Sequence, residues 1–152
     1  MTRSESREQA LKLIYQKLFN PEMTFSEIAG LNAQELDTKS DAYSLDLSQT
    51  VFENIQMLDG IISSKLKNWT ISRLQKLTLC ILRLSVAELE FFPETPCAVV
   101  ANEAVELTKK FVGEKEAGFV NAVLGSVIND KNGVKDEKDG GEAPAAEETE
   151  DK

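Results

Sequence analysis

The 152 residues include no histidine. Histidine is the usual general base near neutral pH and the commonest metal ligand, so its absence argues against most acid–base enzymes and metal sites. No glycine-rich phosphate loop follows a predicted strand, and the many acidic residues do not group with other metal-ligating side chains. The sequence therefore predicts a protein that is not an enzyme and that carries no metal or other cofactor.

Cysteines, aromatic residues and long apolar runs are also scarce. The two cysteines, Cys80 and Cys97, fit neither a zinc spacing nor a disulfide framework, so we expect two buried free thiols. Seven Phe, two Tyr and one Trp leave a mainly aliphatic core, which suits packed helices. No apolar stretch reaches the ~18 residues that a membrane-spanning helix needs, and the N-terminus has no signal-peptide core. We expect a cytoplasmic protein that does not contact membranes.

The net charge is −9, which is unfavourable for a protein that binds nucleic acid directly. Residues 131–152 contain four lysines and eight acids, so residues 1–130 carry −5. After Val134 this segment has no bulky apolar residue with which to offset the entropy of ordering. We expect one folded domain over residues 1–130 and a disordered acidic tail over residues 131–152. Any affinity for RNA must come from a local basic patch or from a basic partner.

Apolar residues recur at three- and four-residue spacing along most of the chain before the tail, which is typical of amphipathic helices. One segment, residues 71–91, is apolar nearly all round and is therefore expected at the centre of the fold. The predicted class is all-α, with a long helix shared by two sub-bundles. The expected helices cover residues 3–19, 41–68, 71–91, a stretch beginning at Thr95, residues 116–129 and, from a weaker pattern, residues 25–36.

Arg3 and Arg7 are four residues apart and so share one face of the first predicted helix. Two guanidinium groups side by side could clamp the phosphates of RNA. The same spacing also fits a solvated helix end on which Arg7 pairs with Glu5 or Glu8. The spacing alone does not decide between these two interpretations.

Arg83 lies within ILRLSVAEL (81–89), the most apolar stretch of the chain. A buried arginine without a counter-ion costs several kcal/mol or so, and we therefore expect it to be paired. Acidic residues on the next predicted helix are the candidate partners. We predict a structural ion pair between Arg83 and Glu103, with Glu106 as the other candidate.

Three motifs occur in the order and spacing of a known family. REQALKLIY (7–15) resembles the first helix of NusB proteins. ILRLSVAEL (81–89), followed by Pro96 and ANEAVELTKKF (101–111), resembles their most characteristic block, and FVNAVL (119–124) resembles their FVNGVL signature. Each motif is weak alone, but three in register are specific. The sequence resembles the NusB family of transcription antitermination factors.

The resemblance implies an all-α fold of six to seven helices in two small sub-bundles. It implies that the protein pairs with ribosomal protein S10, called NusE in its transcription role. This pair would bind the boxA element of nascent RNA within the RNA polymerase antitermination complex and promote antitermination, especially of ribosomal RNA operons. Arg3 and Arg7 are the implied RNA-binding residues, and Tyr15 is the implied contact with S10. The family includes monomers and homodimers, so the resemblance leaves a homodimer open.

The sequence departs from the family pattern at two places that concern binding. Ser4, Glu5 and Ser6 interrupt the arginine run that the family often has, and Thr78 or Leu79 stands where an acidic residue helps to hold S10. The acidic charge and the thinned arginine run favour an alternative function, a helical protein–protein interaction adaptor without direct RNA binding. NusB-like domains also precede some ribosomal RNA cytosine methyltransferases, but we expect no catalytic domain because the chain leaves no room for one.

Overall fold

The computed structural model describes residues 2–34 and 41–133. These residues form seven α-helices and no β-strand, which confirms the predicted all-α class. The helix expected over residues 71–91 begins later, at Lys76, because Ile71–Arg73 form a separate 3-10 turn before it. Within the disordered tail expected over residues 131–152, Lys131 is instead the last residue of the seventh helix, and the residues beyond Gly133 lie outside the described part of the chain. The helices are α1 (Arg3–Phe19), α2 (Phe25–Gln34), α3 (Ala42–Glu53), α4 (Ile55–Ser64), α5 (Lys76–Phe91), α6 (Cys97–Phe111) and α7 (Glu114–Lys131).

Helix α1 has the predicted bounds, and local side chains account for both of its ends. The side chain of Thr2 accepts a hydrogen bond from the backbone N–H of Glu5 at 3.1 Å, and the Glu5 carboxylate accepts from the N–H of Thr2 at 2.7 Å. This reciprocal capping box satisfies two N–H groups that would otherwise lack partners at the helix start. The helix ends before Asn20 and Pro21, because a residue that precedes proline avoids the helical conformation.

The single long helix expected over residues 41–68 is wrong, since the segment forms two helices. α3 ends and α4 begins at Asn54, whose backbone (φ −130°, ψ 24°) lies outside the helical region. The Asn54 side chain donates to the carbonyl of Thr50 at 2.8 Å, a carbonyl that an uninterrupted helix would use for its own ladder. The apolar repeat continues across the break through buried Val51 and Leu58. Periodicity alone therefore gave no sign of the interruption.

Helix α5 is the centre of the molecule, as its all-round apolar character predicts. Every residue from 78 to 89 is buried, and α5 packs against α1, α3, α4, α6 and α7. On one side of it, α1, α2 and α3 contact one another; on the other side, α4 and α6 each pack against α7. The helix that the two sub-bundles share is therefore α5, not the segment over residues 41–68.

The two cysteines are free thiols, as expected, but only Cys80 is buried. Burial raises the pKa of Cys80 to about 12. Since the thiolate is the form that reacts with electrophiles, we expect Cys80 to be unreactive in the folded protein. Cys97 is partly exposed because it begins α6 at the surface.

We expect iodoacetamide at pH 8 to alkylate Cys97 in the native protein and to leave Cys80 unmodified. In denaturing urea both thiols should react, which provides the control for reagent activity. Mass spectrometry of proteolytic peptides measures the two modifications separately. Labelling of Cys80 as fast as Cys97 in the native state would contradict the packing of α5.

Candidate functional site

Arg7 lies inside the protein. Its side chain is buried, with the whole residue only 3% exposed, and it forms a two-pronged ion pair with Glu88 of α5, which is 1% exposed. The distances are 2.9 Å from Nε to Oε1 and 2.6 Å from Nη2 to Oε2. Burial alone would lower the pKa of Arg7, but the hydrogen bonds and charge of Glu88 outweigh it and raise the pKa. Arg7 thus stays charged and is fully engaged within the fold.

The expectation that Arg7 projects into solvent beside Arg3 is therefore wrong, and so is its pairing with Glu5 or Glu8. Glu5 caps the helix start, and Glu8 pairs across the surface with Lys110 of α6 at 2.6 Å. Arg3 and Arg7 share one face of α1, but only Arg3 is exposed. One turn further along, at Arg7, this face packs against the C-terminal end of α5. Spacing places two residues on one face of a helix but does not show how far along that face solvent extends.

Tyr43 and Glu103 complete a polar cluster around this ion pair. The Tyr43 hydroxyl donates to Glu88 Oε2 at 2.5 Å, and Glu103 Oε1 lies 3.6 Å from Arg7 Nη1. Burial raises the pKa of Tyr43, and its hydrogen bond to Glu88 raises it further, so the phenol remains a donor. We call Arg7, Tyr43, Glu88 and Glu103 the Arg7 cluster. It fixes α1 to α3, α5 and α6.

Sequence reasoning missed Glu88 and Tyr43. A signal for Glu88 was present, because it is a lone acid within the apolar motif ILRLSVAEL (81–89) and a buried acid needs a cation. Tyr43 carried no such signal, since it reads as one more apolar position on a helix face. The separation of 81 residues between Arg7 and Glu88 also exceeds what helical spacing can relate.

Arg3 is exposed at the start of α1. Its guanidinium carbon lies 3.8 Å from the centre of the Tyr43 ring, in cation–π geometry. The nearby carboxylate of Asp41 accepts from Ser6 and from the N–H of Ser44; the Ser6 hydrogen bond is the main cause of its lowered pKa, and the charge of Arg3 contributes. Among residues 2–34 and 41–133, Arg3 forms no ion pair. Its N–H groups are thus free to meet an anion.

A groove of about 240 Å³ separates the start of α1 from α6. Three carboxylates line it and are only partly offset by Lys110, so this side of α1 is unfavourable for phosphate. On the Tyr43 side a single carboxylate of the described residues, that of Asp41, lies near Arg3, so a polyanion that reaches Arg3 is expected on that side of the helix. The lining residues are Ser4, Glu8, Glu103, Glu106, Leu107 and Lys110.

The predicted ion pair between Arg83 and Glu103 is wrong. Arg83, which is 8% exposed, donates from Nε and Nη2 to the two carboxylate oxygens of Asp59 on α4, at 2.8 and 2.7 Å. Glu103 faces the start of α1, where it accepts a hydrogen bond from Ser4 at 2.7 Å. Glu106, the other candidate, lies 3.9 Å from Lys109 on its own helix. Arg83 points from α5 towards α4, away from the acidic residues of α6.

Tyr15 lies at the other end of α1, beside a cleft of about 430 Å³. Its ring packs edge-on against Phe19, with centroids 5.0 Å apart, and Phe19 is 55% exposed. Phe111 of α6, 40% exposed, lines the same cleft. Clustered exposed aromatic rings of this kind typically mark a protein–protein contact. The lining residues are Tyr15, Ser72, Leu74, Gln75, Lys76, Leu77, Phe111 and Val112.

No acidic side chain lines this cleft in the described part of the chain. Thr78 and Leu79, at the position where the family resemblance implies an acid, are both buried. The exposed charged group at the start of α5 is the cation Lys76. The cleft therefore combines aromatic and aliphatic side chains with uncharged polar groups and one cation.

The NusB family profile matches residues 4–129, nearly the whole described region. The chain belongs to the NusB family. It is 37% identical to the transcription antitermination protein NusB of Natranaerobius thermophilus, over 87% of this chain and 98% of that protein. It is 39% identical to the NusB protein of Clostridium botulinum, over 84% of this chain and 100% of that one.

Solved NusB structures share the fold. A chain in a crystal structure of the antitermination factors NusB and NusE in complex with double-stranded RNA superimposes with a TM-score of 0.73. That chain is 29% identical, and the match covers 86% of this chain and 99% of that one. The two sub-bundles around α5 are thus the NusB fold.

Membrane-spanning helices and metal-binding clusters are both absent from residues 2–34 and 41–133. No helix there is long and apolar enough to cross a bilayer. The same residues contain no group of three His, Cys, Asp or Glu side chains arranged to hold a metal ion.

Proposed function

We propose that this protein is a transcription antitermination factor that binds RNA together with NusE, which is ribosomal protein S10. The observation that carries the proposal is the match, over 86% of this chain, to a chain from a complex of NusB, NusE and double-stranded RNA. The RNA is the boxA element of nascent transcripts, and the effect is antitermination within the RNA polymerase complex, especially in ribosomal RNA operons. The protein acts in the cytoplasm as an adaptor and not as an enzyme.

The two surfaces on α1 supply the two contacts. Arg3 is the proposed phosphate contact, and the cleft beside Tyr15 is the proposed S10 contact. Twelve residues of helix separate them, or about 18 Å along the axis. Arg7 supports the RNA surface indirectly, because its ion pair with Glu88 holds the start of α1 in place.

The charge of the protein explains why a partner is needed. Residues 1–130 carry a net charge of −5, and an acidic groove borders Arg3 on one side. The protein alone should therefore bind RNA weakly at physiological salt. A basic protein docked at the Tyr15 cleft adds phosphate contacts on the same assembly, and two linked weak sites bind more tightly than either alone.

Titration of labelled boxA RNA with this protein, with S10 and with the two together tests the proposal. We expect the pair to bind far more tightly than either component. If S10 alone bound boxA RNA as tightly as the pair, this protein would have no part in RNA recognition. Formation of the S10 pair without any gain in RNA binding would instead support a helical protein–protein interaction adaptor.

Arg3→Ala should weaken RNA binding by the pair. It should also make the negative slope of log affinity against log salt shallower by about one unit, since each phosphate contact releases about one counterion. Lys12→Ala is the matched control, because it removes one exposed positive charge from the same helix about 13 Å away along the axis. We expect Lys12→Ala to leave the slope unchanged. An Arg3→Ala slope equal to that of Lys12→Ala would show that Arg3 does not contact phosphate.

A further inference from the structure

The start of α1 presents one cation on an aromatic ring. Arg3 is exposed, with its guanidinium carbon 3.8 Å from the centre of the Tyr43 ring on α3. A guanidinium that stacks by its flat face keeps its edge N–H groups turned outward. Those N–H groups form the fork that matches two oxygens of one phosphate. At 3.8 Å the guanidinium is in contact with the ring, so the ring limits the orientations that Arg3 can take and also attracts its charge.

The Tyr43 ring is itself held from several sides. Its hydroxyl donates to Glu88 at 2.5 Å and lies 3.5 Å from the hydroxyl of Thr95. Its ring packs edge-on against Phe92, with centroids 5.3 Å apart and an interplanar angle of 61°. Asp41, two residues before it, caps α3 by accepting from the N–H of Ser44 at 2.9 Å. The Tyr43 ring is thus a rigid platform for Arg3, whose own side chain is long and flexible.

We infer that Tyr43 is a positioning residue for RNA binding, which presents the Arg3 guanidinium to a backbone phosphate on the side of α1 away from the acidic groove. The inference rests on the proposed function. An exposed arginine loses rotamer freedom when it binds, and a guanidinium already stacked on a fixed ring loses less. Tyr43 thereby raises the RNA affinity of a chain whose arginine run is short.

The test measures boxA affinity of the protein–S10 pair for Tyr43→Leu and Tyr43→Phe, at several salt concentrations. Tyr43→Leu removes the ring and should reduce affinity about five-fold, the factor expected for loss of an exposed cation–π contact. Tyr43→Phe keeps the ring and should retain most of the affinity, even though it loses the hydrogen bond to Glu88. S10 affinity should be the same for all three proteins, because the Tyr15 cleft lies at the other end of α1.

A double-mutant cycle shows whether Tyr43 acts through Arg3. In an Arg3→Ala background, Tyr43→Leu should cause no further loss of RNA affinity. A loss of the same size in both backgrounds would overturn the inference, since Tyr43 would then contact RNA directly or act only on folding. Equal affinity of Tyr43→Leu and wild type would also overturn it. If the wild-type pair does not bind boxA RNA, the proposed function itself fails. If the wild-type pair binds and Tyr43→Leu binds equally well, only the inference about Tyr43 fails.

Arg3→Lys provides a second test that leaves Tyr43 and the core intact, should Tyr43→Leu not fold. Lysine keeps the charge but has neither the flat face nor the forked N–H groups. We expect lower affinity with the salt slope retained. Wild-type affinity for Arg3→Lys would show that charge alone suffices and that the platform has no role.

Discussion

Glu88→Leu is expected to lower the free energy of unfolding by about 3–5 kcal/mol, because it leaves the guanidinium of Arg7 buried without its counter-ion. Tyr43 loses its acceptor in the same step, which adds to the destabilisation. A loss of this size is a large fraction of the ~5–15 kcal/mol that stabilises a typical domain. Urea denaturation followed by circular dichroism measures the change.

Two companion variants separate the ion pair from general disturbance of the fold. Glu103→Leu removes the more distant carboxylate, which is partly exposed and 3.6 Å from Arg7, and should cost less than about 1 kcal/mol. Arg7→Met in the Glu88→Leu background should recover most of the lost stability, because it removes the stranded charge. A double variant no more stable than Glu88→Leu would contradict the explanation.

Tyr15→Ala is expected to weaken S10 binding by about 2 kcal/mol, or roughly thirty-fold, since a large aromatic at the centre of an interface commonly carries this much binding energy. Tyr15 lies on the cleft together with Phe111 and packs against Phe19. Removing the Tyr15 ring takes away both its apolar contact area and its hydroxyl group. Isothermal titration calorimetry with S10 measures the affinity.

The matched control for Tyr15→Ala is Met57→Ala. Met57 is also an exposed apolar residue, 43% exposed, but it lies on α4 and away from the cleft. We expect it to leave S10 affinity unchanged. Similar losses from both variants, or a Tyr15→Ala protein with wild-type affinity, would show that S10 docks elsewhere. Thermal unfolding of each variant separates a lost contact from a lost fold.

Both ends of α1 carry chemical signals that can be recognised in the sequence. Thr2 and Glu5 mark the start of α1, and Asn20 with Pro21 marks its end. The break at Asn54 could not be read in the same way, because apolar residues continue at helical spacing on both sides of it. An asparagine interrupts a helix or is tolerated within it according to which carbonyl its side chain reaches, and that depends on tertiary packing.

The ion pairs were harder to predict than the helices, and for a different reason. A buried arginine predicts an acidic partner, but helical spacing does not predict how neighbouring helices are rotated about their axes. The sequence therefore does not identify which acid the arginine meets. Arg83 meets Asp59 on α4, and Glu103 turns towards Arg7 on α1. The family resemblance implies functional surfaces on α1, and we propose them there. Which of its two arginines reaches solvent became clear only from the packing of α1 on α5.

Helix α5 also governs how the molecule can come apart. Separation of the two sub-bundles would expose the apolar residues on one side of α5, since neither sub-bundle alone contacts all of its faces. A half-opened state would expose leucine and valine side chains to water and gain little chain entropy in return. Two bundles in shape are thus a single cooperative unit in thermodynamic terms, and the ends of α1 that we propose meet RNA and S10 belong to the same all-or-none transition.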